Sequence, residues 1–215
     1  MTNREIFDFF SSAGFTPEGI CALMGNFMAE SNMVPNIAQR GMTKLTDAQY
    51  TAAADNGLLD FPRDQVGYGY AQWTFPQRKA NLLSFAKASG TSVGDPMTQL
   101  RFCLKELNED FPSIAKALTT SHDMLQLTQL ICNVYENPAV KNVGTRLEYA
   151  QDFYNELVKG DTVVVPPASQ KPDVTVAGFQ GLMVGNGYWP YDVDGVKSPT
   201  FFSKLREFVD DMEKC

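Results

Sequence analysis

Thr16-Pro17-Glu18 compresses a helix start into three adjacent residues. A hydroxyl can cap the first turn, a proline ring fixes the first helical φ, and an acid faces the positive end of the helix dipole. Apolar residues then recur at helical spacing through residue 31. The same punctuation returns along the chain: Asp95-Pro96 and Phe111-Pro112 mark two further starts, and Thr46-Asp47 opens a short helix that ends near Asn56-Gly57. A chain punctuated this way packs short helices on one another. Helices are expected over 3–13, 16–31, from 46 to about 56, and over 76–89, 96–108, 112–120, 123–136 and 143–159. Segment 60–74, with Gly67, Gly69 and alternating aromatics, is expected to form a loop or a short β-hairpin. Residues 1–159 thus read as one mainly α domain of about eight helices with a single β-like excursion.

The pattern stops at residues 160–174, where three prolines and no helical period predict an extended, semi-rigid linker. Residues 175–215 follow as a smaller unit. It has a helical run over 175–185, a turn-rich stretch from Gly185 to Gly195, and a closing helix from Ser198-Pro199. Phe201, Phe202, Leu205, Phe208, Val209 and Met212 form one stripe of that last helix. Some forty residues bury little surface alone, so this unit is expected to be a compact helical module or to dock on the first domain.

Composition removes several function classes. Hydrophobic residues make up 44% of the 215 and aromatics 12%, ample for a packed core. Apolar stretches are short and interrupted, so no membrane span is expected. The first ten residues read as an amphipathic helix rather than a signal peptide, since acids interrupt the apolar pattern and no small-residue cleavage site follows. A formal charge of −7 without a basic cluster argues against nucleic acid and anionic lipid as partners. Cys21, Cys103 and Cys132 fall among apolar neighbours in helical patterns without CxxC spacing, and are expected as buried thiols. Cys215, at the chain end, is expected to be exposed. One histidine, His122, cannot build the zinc site of a wall amidase or endopeptidase. Neither metal nor cofactor is therefore expected.

The residue most charged with chemistry is Glu30. Met24, Phe27 and Met28 crowd the helix that it closes, and the dipole disfavours an acid at a helix C-terminus. An acid in apolar surroundings has its charged form disfavoured and can hold a proton near neutral pH. About thirty-five residues later Gly67-Tyr-Gly-Tyr-Ala-Gln-Trp-Thr74 offers hydroxyl, amide and aromatic groups suited to a sugar, with Tyr68, Tyr70, Gln72 and Trp73 as candidate contacts. Together they suggest a carbohydrate-cleaving site.

Three ordered blocks carry a resemblance. Gly19-Ile-Cys-Ala-Leu-Met-Gly-Asn-Phe-Met-Ala-Glu-Ser31, then the Gly67–Thr74 segment followed by Arg78-Lys-Ala-Asn-Leu-Leu83, then Asn133-Val-Tyr-Glu-Asn-Pro-Ala139 with Arg146 and Tyr149, resemble the phage tail lysozyme family over about residues 10–157. The resemblance implies an α+β lysozyme-like catalytic domain with Glu30 as its acid and the glycine–aromatic segment along the glycan cleft. Tyr70 stands where the family pattern has a leucine-like residue. Residues 175–215 resemble a small three-helix peptidoglycan-binding domain, through Val176-Ala-Gly-Phe-Gln180, Gly187-Tyr188, Asp194-Gly195 and Ser198-Pro-Thr200, with Ser198 in place of the usual glycine.

A second carboxylate is less legible. Inverting glycosidases place a base opposite the acid, and retaining ones a nucleophile about 5 Å from it. Asp47, Asp55, Asp60 and Asp64 lie in the interval where lysozyme-like folds place it, and Glu136, before Asn137-Pro138, is a further candidate better suited to a salt bridge or cap. Without one, Glu30 would act as acid and then base in a lytic transglycosylase, with the sugar's 6-hydroxyl attacking. The expectation is a monomeric phage endolysin. It would cleave the β-1,4 bond between N-acetylmuramic acid and N-acetylglucosamine in bacterial peptidoglycan, being made in the host cytoplasm and released to the cell wall through a separate pore protein. A virion-associated enzyme, a peptidase using Cys and His122, and a non-catalytic wall-binding protein are the alternatives.

Overall fold

The computed structural model describes residues 1–160, and the expected linker, C-terminal module and Cys215 lie outside these described residues. Eight α-helices follow one another: α1 Asn3–Ser12, α2 Pro17–Ser31, α3 Asp47–Asp55, α4 Pro76–Ala88, α5 Pro96–Glu109, α6 Pro112–Thr120, α7 Met124–Leu130 and α8 Val143–Tyr154. Two of them continue as π-helical turns, α7 through Ile131–Glu136 and α8 through Asn155–Lys159. No helix is long and apolar enough to cross a membrane among the described residues.

Side chains fix most of the starts. Thr2 caps α1 in a reciprocal box with Glu5, and Thr46 does the same for α3 with Gln49. Thr16, Asp95 and Asp123 each accept the free N–H three residues on, from Gly19, Thr98 and Gln126. The β-hairpin expected over 60–74 reduces to two isolated bridges, Ala38 with Tyr68 and Tyr68 with Trp73. The reason is local. Gly69 and Gln72 both take left-handed φ, +78° and +43°, so the chain reverses before a ladder can extend.

Helix α2 is the axis of the domain. Gly19 through Phe27 are all buried, and the helix packs against α8, α7, α6 and α1. Its closest neighbour is admitted by Gly25. A Cβ there would lie 2.4 Å from the Arg146 carbonyl oxygen and 2.8 Å from the Ala150 amide nitrogen, both backbone atoms of α8. Gly25→Ala improves helix propensity by about 1 kcal/mol. Overpacking against backbone typically costs about 1–3 kcal/mol and here the contact is severe, so a net loss in chemical denaturation is expected. A neutral or stabilised variant would contradict this packing. The helix ends abruptly at Asn32 and Met33, both left-handed at +51° and +59°. Glu30 thus sits two residues before a sharp exit of the chain.

Candidate active site

Glu30 meets an arginine rather than the purely apolar setting its sequence neighbours imply. Arg146, from α8, donates from Nη2 to Glu30 Oε1 at 2.6 Å. The Arg146 side chain is 5% exposed and the Glu30 side chain 16%, so the carboxylate is the more open half of the pair. Asn26, one helical turn before Glu30 on the same face of α2, accepts from Arg146 Nη1 at 3.0 Å. Asn26 is itself fully buried and donates to the Ala22 and Thr128 carbonyls, tying α2 to α7. The guanidinium is therefore aimed by one buried amide, and it aims Glu30 in turn. The i, i+4 spacing of Asn26 and Glu30 was visible in the sequence; their common partner 116 residues beyond Glu30 was not.

Glu136 ends the π-helical turn that continues α7. The residue is only half-buried, yet both carboxyl oxygens are buried and neither has a hydrogen-bond partner among the described residues. Burial, then the charge of Glu30, push its pKa well above the usual carboxylate range, and Arg78 and Arg146 only partly oppose them. The salt-bridge or cap role that its position suggests is not what the structure contains. No Arg, Lys or N–H among the described residues donates to it.

The four aspartates between the motif blocks are committed elsewhere. Asp47 accepts from the Ala38 N–H at 3.1 Å and pairs with Arg40 at 3.2 Å. Asp55 accepts from the Ser92 hydroxyl at 2.6 Å and the Val93 N–H at 2.9 Å, pinning the turn before α5. Asp64 takes the Tyr50 hydroxyl at 2.5 Å, the Val66 N–H at 3.0 Å and the ammonium of Lys79. Lys79 is fully buried, and burial holds its pKa below the usual lysine value, with Asp64 opposing that shift. Asp60 is a surface residue facing Arg63 at 3.6 Å.

The aromatic residues of the Gly67–Thr74 segment turn inward. Tyr68, Tyr70 and Trp73 are each no more than 1% exposed. Tyr68 shares a 2.6 Å hydrogen bond with Thr51, and Tyr70 stacks on Phe27 with ring centroids 5.6 Å apart. Trp73 donates its indole N–H to Glu106 at 2.8 Å. None offers a ring face to a sugar in this structure, because all three rings are packed in the core, and the Tyr68 hydroxyl and the Trp73 indole N–H already have protein partners. Gln72 is half-buried and its amide donates to the Ile37 and Gly69 carbonyls, holding the loop closed. The aromatic residue left in solvent is Phe75, 67% exposed at the start of α4.

A charged hub that sequence reading passed over lies beneath this segment. Glu106 of α5, 2% exposed, accepts from Trp73, from Arg78 at 2.8 and 2.9 Å, and from the Tyr135 hydroxyl at 2.9 Å. Arg78 also donates to the Tyr135 carbonyl at 2.9 Å and lies over the Tyr135 ring. The residue before Glu136 is thus gripped through its carbonyl, ring and hydroxyl. A single acid in the middle of a helical pattern has no sequence signal that separates it from a solvated one.

The thiol readings also resolve. Cys21, Cys103 and Cys132 are free and buried, and burial pushes the Cys21 thiol up to about 12. His122 is exposed and meets Glu18 at 2.8 Å rather than a cysteine. No cluster able to hold a metal ion occurs among the described residues. Open depressions of about 250 Å³ beside Phe102 and about 410 Å³ beside Leu127 have neither Glu30 nor Glu136 in their walls. A family model described as phage tail lysozyme matches residues 1–157.

Proposed function

We propose, because the chain belongs to the phage tail lysozyme family, that it is a muramidase with Glu30 as the acid at the scissile bond. Membership supports an enzyme acting on peptidoglycan. The finer reading is hydrolysis of the β-1,4 bond between N-acetylmuramic acid and N-acetylglucosamine. One observation carries it: Glu30 is a partly open carboxylate aimed from behind by a buried arginine, at the end of the most buried helix. An acid held this way can reach a glycosidic oxygen from the solvent side while its orientation is set by the protein. Proton donation to the leaving oxygen is typically worth about 10²–10⁴-fold. The route of water attack decides between an inverting and a retaining course. A transglycosylase would use Glu30 twice and release an anhydromuramic end.

Residues 175–215, in this reading, hold the enzyme on the wall and raise the local substrate concentration without touching the chemistry. One experiment addresses both parts: mass spectrometry of purified walls digested by the full chain and by a fragment ending at Lys159. Reducing muramic acid ends from both proteins, with slower digestion of intact walls by the fragment, are expected. Anhydro ends would replace the hydrolase reading with the transglycosylase one, and intact glycan strands would overturn both. Equal rates on intact walls would remove the tethering role.

A further inference from the structure

Three buried side-chain polar atoms have no hydrogen-bond partner among the described residues: both carboxyl oxygens of Glu136 and Nε of Arg146. The same arginine carries the Glu30 ion pair. The charged groups whose fields act on Glu136 come from four elements. Glu30 and Arg146 stand on α2 and α8, and Arg78 and Glu106 on α4 and α5. The nearby Cys132, Tyr135 and Cys103 are titratable but held neutral by burial. Both arginines already have a carboxylate of their own, Arg146 with Glu30 and Arg78 with Glu106. Among the described residues, two cations therefore serve three acids, and the third acid has no donor.

We propose that Glu30 and Glu136 hold one proton between them against the single guanidinium of Arg146, and that Glu136 is the positioning residue that arms Glu30. In the empty site the proton sits on Glu136 and Glu30 is the ionised partner of Arg146. When the proton leaves the Glu136 carboxyl and a proton arrives on Glu30, the charge of the three groups is unchanged. Arg146 then balances Glu136 instead, with its uncommitted Nε as the available donor. Whether the proton crosses directly or by exchange does not alter the equilibrium. The cost of making Glu30 a neutral acid falls because the arginine is not left uncompensated.

The backbone is built to keep Glu136 there. A π-helical turn is uncommon and is frequently found at functional sites. Here it closes on the left-handed Asn137, whose N–H reaches the Cys132 carbonyl at 2.9 Å. The adjacent Tyr135 is clamped by Arg78 and Glu106. The carboxyl oxygens are buried, so Glu136 acts through Glu30 and not on the sugar.

The proposal rests on Glu30 as the acid, and its test separates the two. The full chain with ¹³C-labelled glutamate carboxyls is titrated by NMR as wild type, Glu30→Gln and Glu136→Gln. The Glu136 signal should titrate well above the ordinary value of about 4.3. In Glu30→Gln it should move down, because a neighbouring negative charge is gone and no longer balances the charge of Arg146. In Glu136→Gln the kcat on soluble glycan should fall roughly tenfold or more with KM little changed. The alkaline limb of its pH profile should move to lower pH, since the carboxyl that shares the proton is gone. An ordinary Glu136 titration, a titration indifferent to Glu30→Gln, or an unchanged kcat and pH profile in Glu136→Gln overturns proton sharing. If Glu136→Gln does not fold, the wild-type and Glu30→Gln titrations decide alone. Coupled titration in a protein that cleaves no glycan would leave the shared proton standing and remove the lysozyme reading.

Discussion

Glu30→Gln is expected to lower wall lysis by orders of magnitude while leaving the fold in place. The amide keeps the length and branching of the carboxylate, and its carbonyl still accepts from Arg146 Nη2, the contact that spans 2.6 Å in the native protein. What disappears is the ability to give up a proton, and the loss in rate is expected at about 10²–10⁴-fold. The stability change is smaller. Exchanging a charge-assisted hydrogen bond for a neutral one costs about 1 kcal/mol, and most of a typical folding free energy of about 5–15 kcal/mol remains. The two magnitudes separate cleanly in one experiment: turbidity clearing of purified walls, with circular dichroism melting on the same preparations. A variant that clears walls at near wild-type rate with an unchanged spectrum would remove Glu30 from the chemistry. A variant that is inactive only because it is unfolded would show itself in the melt.

Glu106→Ala should have the opposite profile, a stability effect first and an activity effect only as its consequence. The mutation strands Arg78, whose guanidinium is held charged by Glu106 against the burial that disfavours it. It also orphans the Trp73 indole N–H and the Tyr135 hydroxyl, both of which end on the same carboxylate. Removing one partner of a buried ion pair typically costs about 3–5 kcal/mol. At about 2–4 °C per kcal/mol for a chain of this size, the melting temperature should fall by about 6–20 °C. Glu109→Ala, which breaks the exposed i, i+4 pair with Lys105 on the same helix, should leave the melt almost unmoved. Equal, small shifts for the two variants would show that the hub is not a keystone. Glu106→Gln should fall between them, because it retains acceptor and shape but not the charge that balances Arg78.

The helices were legible because their signals are local. Thr16, Asp95 and Asp123 cap their own turns within three residues, and Pro17, Pro96 and Pro112 set their own φ. The long patterns over 123–136 and 143–159 were also readable, except that each ends in a π-helical turn, which comes too close to the helix end for a shifted apolar face to show in the sequence. The hairpin was not. Whether alternating aromatics form strands depends on where the chain reverses, and Gln72 at positive φ has no composition signal in its favour.

At the site the division is sharper. Sequence alone placed Glu30 near the end of a buried helix and made it the candidate acid, because both readings follow from residues within one or two turns of it. Tertiary structure decided everything that depends on a partner far along the chain. Tyr68, Tyr70 and Trp73 face the core because Thr51, Phe27 and Glu106 meet them there, from 17 to 43 residues away. Asp47, Asp55 and Asp64 belong to the scaffold because backbone N–H groups, hydroxyls and Lys79 occupy their oxygens. Glu136 differs from the other acids among the described residues for the converse reason, that its oxygens are buried with no donor to them. A carboxyl's character is set by the dielectric and the charges around it, and those are properties of packing that no spacing along the chain encodes.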